Sequence, residues 1–501
     1  MKDAYSGADV GQSDAASSFR NKSLAAIELR SLPVKNATML RVSVALLALI
    51  ASPAAAQSLT PAESARIDDL VTRALAQSGV PSAEIAVVRD GKIVLSKAYG
   101  KANEHLAANP GLPYQIASNS KQFTAMAILL LRDEGKLSLD DHVSKYLPGI
   151  SEGDRITLRQ LLNHTSGLED FWPQDYMFAD MTVPTSPQHI VDKWAKKPLD
   201  FQPGDQWQYS NTGYVVAGMI AEKVSGEPLM TYLRRKIFQP LGMASVIDQD
   251  ETNTPAFPAP YTRFALGPVR PQMPAARGWL YAAGELSMTA SDLARWDIAR
   301  LDRALIPVAD WQEQETETRL NNGKGTNYGL GVSLQTSPRR TVTHTGEAVG
   351  FLSVNTVYPD QRAAVVVLTN SWNTGNAFTR IAKDIAQVIL PTAPQDATVA
   401  AQAARARTLF DELRSGTIDR SLLTRNANFY FTPQAIADFH SSLAPLGQPT
   451  SFETEGSPVL RGGFVIQGYT VTYPTRKLSV STFYEPGVGG RIEQYLVSPA
   501  S

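Results

Sequence analysis

Three short segments carry residue types that together could break an acyl bond. In Ser118-Asn119-Ser120-Lys121 the serine and lysine are spaced i, i+3, so on a helix their side chains share one face. A serine at the mouth of a helix lies beside free backbone N–H groups and the positive end of the peptide dipoles. A carbonyl attacked there finds donors for its developing oxyanion. A lysine one turn deeper, stripped of water, has a lowered pKa and can take the serine proton as a neutral amine. The same residues equally suit a helix-capping serine beside a solvated lysine.

The second segment is Tyr209-Ser210-Asn211. A phenol beside a lysine can pass a proton to a leaving group, and an asparagine two residues on can hold a substrate amide and the lysine at once. The third is His344-Thr345-Gly346, at the end of a β-rich run. A glycine there leaves room for substrate to lie along the strand. The threonine hydroxyl and the imidazole can bind a carboxylate or polarise the site, and the Glu347 N–H would be a second oxyanion donor. In isolation each segment also reads as ordinary structure: a turn tyrosine with a capping asparagine, and a strand end with a core histidine. Their order gives them weight: Y-S-N follows S-x-x-K by about 90 residues, and H-T-G follows after about 130 more.

The elements that must position these groups are legible. Thr60 to Gln77 predicts an amphipathic helix with Thr60-Pro61 at its start. Asp90-Gly91 joins the strand-like runs Ala83–Val88 and Ile93–Tyr99 into a hairpin. Ser118 to Glu134 predicts a buried helix closing at Gly135, and Thr157–Asn163, Tyr214–Val224 and Ser291–Leu301 predict further helices. Strands are expected over Gly329–Leu334, Thr341–Thr345, Leu352–Tyr358 and Ala363–Leu368, then a helix over Asp384–Leu390. Strands at both ends of this region make one antiparallel sheet, flanked by helices, with a helical lobe from the middle.

The chain has 501 residues, net charge −1 and no cysteine. Nucleic acid is excluded as a partner because no positive field exists to hold it. Disulfides, thiolate nucleophiles and Cys-bound metals are excluded outright. Met39-Leu40-Arg41, the apolar run Val42–Ile50 and Ser52-Pro53-Ala54-Ala55-Ala56 describe a secretory leader cut after Ala56. The expected location is therefore periplasmic or secreted, with no stable transmembrane anchor. The expected division is a start of no pattern (1–38), a leader (39–56), a hydrolase domain (57–393) and a small α+β C-terminal domain (394–501). In the last, helices over Ala400–Arg414 and Pro433–Leu443 precede strands over Phe464–Tyr473, Lys477–Tyr484 and Arg491–Val497.

Ile116 to Ala125, which contains the S-x-x-K, resembles the nucleophile segment of serine β-lactamase-related hydrolases. These comprise class C β-lactamases, D-alanyl-D-alanine carboxypeptidases, D-aminopeptidases and related esterases. Leu161 to Leu168, Ala282 to Thr289 and Tyr358-Pro359-Asp360 resemble further stretches of that family. The resemblance, over about residues 60–390, implies an α/β (α+β) transpeptidase-like fold with the serine between its two lobes, and no metal or cofactor. It implies Ser118, Lys121 and Tyr209 as catalytic residues. Asn211, His344, Thr345, Gly346 and the Glu347 N–H would hold substrate.

Three departures shape the expected chemistry. His344 stands where class C β-lactamases carry lysine, which favours the peptidase and esterase branches. Glu285 stands where the family often has glycine. No glutamate matches the deacylating residue of class A enzymes, so deacylation falls to Tyr209 and Lys121 acting on water. The expected activity is hydrolysis of an ester or a D-amino-acid-containing amide through acyl-Ser118, on a small-molecule or peptide substrate. A true β-lactamase and a catalytically silent module are the alternatives. His164 is expected to cap and pack, and Trp172, Trp207 and Trp372 to fill core.

Overall fold

The computed structural model describes residues 58–336, 338–391 and 397–500. The expected leader and the stretch before it lie outside the described residues. Helix α1 (Pro61–Ser78) opens on Thr60, whose hydroxyl accepts from the Glu63 N–H while the Glu63 carboxylate accepts from the Thr60 N–H. That reciprocal cap and the left-handed Gly79 fix its two ends. Strands β1 (Ser82–Arg89) and β2 (Lys92–Gly100) turn through Asp90 and Gly91, both at positive φ, as a two-residue hairpin demands.

Helix α2 (Lys121–Asp133) is buried over nearly all its residues and packs on helix α3 (Asn211–Ser225). Its apolar run explains why it sits in the middle of the helical lobe rather than at the surface. The expected single helix from Ser118 is in fact two pieces: Ala117–Ser120 forms a separate 3₁₀ turn. Helix α3 starts at Asn211, earlier than its apolar pattern suggests, because Ser210 caps it by accepting from the Gly213 N–H.

Helix α4 (Ala290–Leu301) leads into strands β3 (Ser333–Gln335), β4 (Thr341–Ala348), β5 (Phe351–Tyr358) and β6 (Ala363–Thr369), and helix α5 (Ala377–Ile389) closes the region. The six strands form one antiparallel sheet in the order β2-β1-β6-β5-β4-β3. The chain's two ends thus meet at β1 and β6, as the sequence pattern requires. Strand β6 is buried along its whole length, since α5 packs on it and so does α4. Its Ala-Ala-Val-Val-Val-Leu run suits a strand covered on both faces. Strand β3 is shorter than expected, because Gly329 to Gly331 forms an irregular turn, with Gly331 at φ +73°. It pairs with β4 only over Thr341–Thr343, leaving the rest of that β4 edge without a strand neighbour on that side.

After residue 396 the described chain forms helices α6 (Ala397–Ser415) and α7 (Pro433–Leu443) and strands β7 (Ser451–Arg461), β8 (Phe464–Thr472), β9 (Lys477–Tyr484) and β10 (Ile492–Pro499). The strands form an antiparallel meander around a core of their own, with Phe410, Leu413, Tyr469 and Tyr484. Strand β7 escapes the sequence pattern. Its Glu453, Glu455, Gly456 and Pro458 mark an irregular edge strand, with a register break between Glu455 and Val459.

Candidate active site

Ser118 is half-buried in the 3₁₀ turn before α2. Ala117 beside it lies at φ +50°, a region non-glycine residues occupy only when their surroundings impose it. The imposition is visible. The Ser120 hydroxyl accepts from the Leu286 N–H at 3.1 Å. Asn119 Nδ2 donates to Ser353 Oγ at 2.8 Å, and Ser353 Oγ donates to the Ile116 carbonyl at 2.7 Å. Gly346 on β4 makes this contact possible: a Cβ there would lie 2.0 Å from the Ile116 oxygen and 2.3 Å from Ser353 Oγ. The glycine therefore admits the turn that carries Ser118.

Lys121 is fully buried. Its Nζ lies 2.7 Å from Asn211 Oδ1, 2.7 Å from the Ala283 carbonyl and 3.0 Å from Ser118 Oγ. The first two partners can only accept, so they take N–H bonds. The third direction faces a hydroxyl that can itself donate. A neutral amine satisfies all three contacts with its lone pair aimed at Ser118. Burial lowers the Lys121 pKa to about 7, against the pull of the Asp170 carboxylate, which raises it. Asp170, which no motif signals, accepts from the Asn211 N–H at 3.0 Å, Asn211 Nδ2 at 3.1 Å and the Trp172 N–H at 3.2 Å. Burial raises its pKa while those donors and Lys121 oppose the rise.

Tyr209 brings its ring to 4.8 Å from Lys121 Nζ. Burial pushes its phenol well above the usual tyrosine range, with Ser118 hydrogen bonding working the other way, so the phenol is protonated at neutral pH. Tyr209 rests on the His164 ring, 4.3 Å between centroids. His164 is buried with φ +64°.

His164 begins a chain of hydrogen bonds whose polarity is fixed. The Ser210 N–H donates to His164 Nδ1 at 3.1 Å, so the proton of the neutral ring is on Nε2. Nε2 meets the Tyr328 hydroxyl at 3.2 Å, and that hydroxyl meets His344 Nε2 at 2.8 Å. His344 Nδ1 lies 2.5 Å from the Thr345 carbonyl, which can only accept. Protons therefore run in one direction, from the Ser210 amide to the Thr345 oxygen. Both imidazoles are held neutral: burial carries His164 well below its ordinary value, and burial plus the Lys121 charge carries His344 to about 4. His344 thus has no free ring nitrogen for a substrate carboxylate, contrary to the role its motif position suggests.

Ser118, Tyr209, His344 and Thr345 line one cavity of about 440 Å³. Trp172 and Trp372 wall it as well as packing on the core, where Trp372 is buried; their rings meet edge-on, 6.1 Å apart at 85°. Trp207 lies outside the lining, 38% exposed, against the His164 ring. The Glu347 side chain lines the cavity and accepts a hydrogen bond from Trp372 Nε1. Asn211 and Gly346 stand behind the wall, holding Lys121 and the nucleophile turn. Glu285 also sits away from the cavity. It is buried near Asp248, Glu222 and Asp250, and burial foremost lifts its pKa to about 8, so it is a neutral acid at pH 7. Among the described residues no cluster of His, Asp and Glu could hold a metal ion, and no helix is long and apolar enough to cross a membrane.

A serine at a strained turn, a lysine one turn inward, and a sheet edge opposite them define an active-site-serine protein of transpeptidase-like fold. Residues 67–389 match the model of the family described as Beta-lactamase, and the chain belongs to that family. Penicillin-binding protein 4* of Bacillus subtilis strain 168 is 32% identical over 288 residues, 54% of this chain and 64% of that protein, so the chain spans less than two thirds of that relative. The octameric penicillin-binding protein homologue from Pyrococcus abyssi shares the fold with a TM-score of 0.57 at 21% identity, over 87% of this chain and 96% of its own. A D-stereospecific amidohydrolase from Streptomyces sp. aligns with a TM-score of 0.55 at 27% identity, over 65% of this chain and 98% of its own.

Proposed function

We propose that the protein is a serine hydrolase that cleaves an ester or a D-amino-acid-containing amide through an acyl-Ser118 intermediate. The observation that carries this is the amine of Lys121, whose two obligate acceptors leave its third direction to Ser118 Oγ at 3.0 Å. In acylation Lys121 takes the serine proton as Oγ attacks the carbonyl carbon. The oxyanion is met by the backbone N–H of Glu347 and those of the Ser118 turn. As the tetrahedral intermediate collapses, the Tyr209 phenol gives its proton to the leaving group and recovers one from the Lys121 ammonium. In deacylation Lys121 takes a proton from water, hydroxide adds to the acyl carbon, and Ser118 leaves with the proton returned to it.

The Streptomyces amidohydrolase, at 27% identity, supports the D-amide side of this reading. The neutral, fully engaged His344 speaks against efficient β-lactam hydrolysis, which the family's lysine at this place serves. The test is labelling with a fluorophosphonate and, separately, a fluorescent penicillin, with the modified peptide found by mass spectrometry. Fluorophosphonate on Ser118 is expected. Folded protein that takes neither label is a silent module. Ser118→Ala is expected to abolish turnover with the melting temperature unchanged.

A further inference from the structure

The cavity beside Ser118 has an unusual charge. Three carboxylates line it, Asp170, Asp175 and Glu347, and no arginine or lysine does. Asp170 is occupied by Asn211 and Trp172 N–H groups. The other two are not neutralised by a cation: among the described residues, neither Asp175 nor Glu347 forms an ion pair, and no lysine or arginine lines the cavity beside them. Burial foremost makes ionisation of Glu347 harder, the Trp372 hydrogen bond opposes this, and the Asp175 charge adds to it. Like charges left unpaired across one cavity are a standing cost, which a cation between them removes. The walls agree. Trp172 and Trp372 form an aromatic corner beside these carboxylates, and ring faces attract ammonium groups. The indole N–H of Trp372 holds one Glu347 oxygen and leaves the other for a ligand. His344, where an anionic substrate end would look for a partner, has both nitrogens engaged.

We infer that the acyl-Ser118 site selects substrates carrying an ammonium group, the free amino end of an amino-acid amide or ester, held between Asp175, Glu347 and the two tryptophan rings. This rests on the hydrolase function proposed above and names its substrate class. N-acylated and carboxylate-bearing analogues are expected to be poor substrates, because they lack the cation or add a charge that Asp175 and Glu347 repel.

The test uses three fluorophosphonates of equal length whose tails end in a primary ammonium, a neutral amide or a carboxylate. The second-order rate of Ser118 labelling is measured for each with the full chain. The ammonium reagent is expected to react about ten-fold faster than the neutral one, with the carboxylate reagent slowest and the differences shrinking in salt. Asp175→Asn and Glu347→Gln are each expected to reduce the ammonium-to-neutral rate ratio several-fold. Equal rates, or a faster carboxylate reagent, would overturn the inference and leave the acyl-serine chemistry standing. No labelling of Ser118 by any reagent would remove both.

Discussion

The pair formed by Lys121 and Asp170 allows a prediction whose sign runs against intuition. On the proposed mechanism neutral Lys121 is the active form, so activity should rise with pH through about 7, its lowered pKa. About half the amine is then neutral at pH 7, against roughly one molecule in 2,500 for an ordinary lysine. Each pH unit below 7 should cost about ten-fold in kcat/KM. Asp170 opposes this by stabilising the ammonium. Asp170→Asn should therefore move the acid limb down and make the variant relatively more active in acid. The charge acts through the Asn211 amide, so the two groups are roughly 6 Å apart, and at an effective dielectric of about 20 their attraction is about 3 kcal/mol. The limb should move by up to about two pH units. The substitution is mild. Oδ1 carries the bonds from Asn211 N, Asn211 Nδ2 and Trp172 N, whereas Oδ2 receives only Asn211 Nδ2 at 3.3 Å. An asparagine keeping Oδ1 in place preserves the first three. The assay is kcat/KM for a neutral p-nitrophenyl ester from pH 4.5 to 9, with the melting temperature followed in parallel. A limb that stays in place or moves up, in folded protein, would show that Lys121 is not the group being titrated.

Two further substitutions probe the scaffold. Gly346→Ala forces a methyl group to 2.0 Å from the Ile116 carbonyl; overpacking against backbone costs about 1–3 kcal/mol or more, and a fall of several degrees in melting temperature by calorimetry is expected, with activity lost beyond that fall because Ile116 carries the nucleophile turn. Tyr328→Phe leaves the His164 N–H without an acceptor and His344 Nε2 without a donor; at about 1–3 kcal/mol for each buried group left unpaired, thermal denaturation should begin measurably earlier, and an unchanged transition would contradict the proton order derived above.

How far the sequence led depends on what kind of signal a residue leaves. Ser118, Lys121, Tyr209 and His344 were legible because each sits in a short segment whose spacing belongs to a known chemistry. Their meeting in three dimensions follows from a sheet whose first and last strands pair, and alternation and turn residues predict that as well. Asp170 left no such trace. Its importance comes from contact with Asn211, 41 residues away, and nothing local marks it. His164 was legible as a packing residue, and it packs, buried beneath the Tyr209 ring; what no local pattern marks is its hydrogen bond to Tyr328. For Trp172 and Trp372 bulk and apolarity predict the core packing that is seen, without saying that another face of the same ring meets the cavity. Gly346 shows what spacing leaves unsaid: it signals that no side chain fits, not that the Ile116 carbonyl and Ser353 Oγ take the space.

Burial treats the ionisable groups around Ser118 consistently, and this limits where a proton can move. It lowers Lys121, holds His164 and His344 neutral, and keeps the Tyr209 phenol protonated. The two histidines are also fixed in orientation, because their hydrogen bonds begin at an amide that can only donate and end at a carbonyl that can only accept. A relay pinned at both ends cannot accept a proton without breaking a bond, so it serves as a rigid support for Tyr209 and β4. On the proposed mechanism the protons that move are those shared among Ser118, Lys121 and Tyr209. Low polarity and fixed donors therefore confine proton transfer to the atoms that must react, and the strained backbone at Ala117 and His164 is the conformational cost of holding them there.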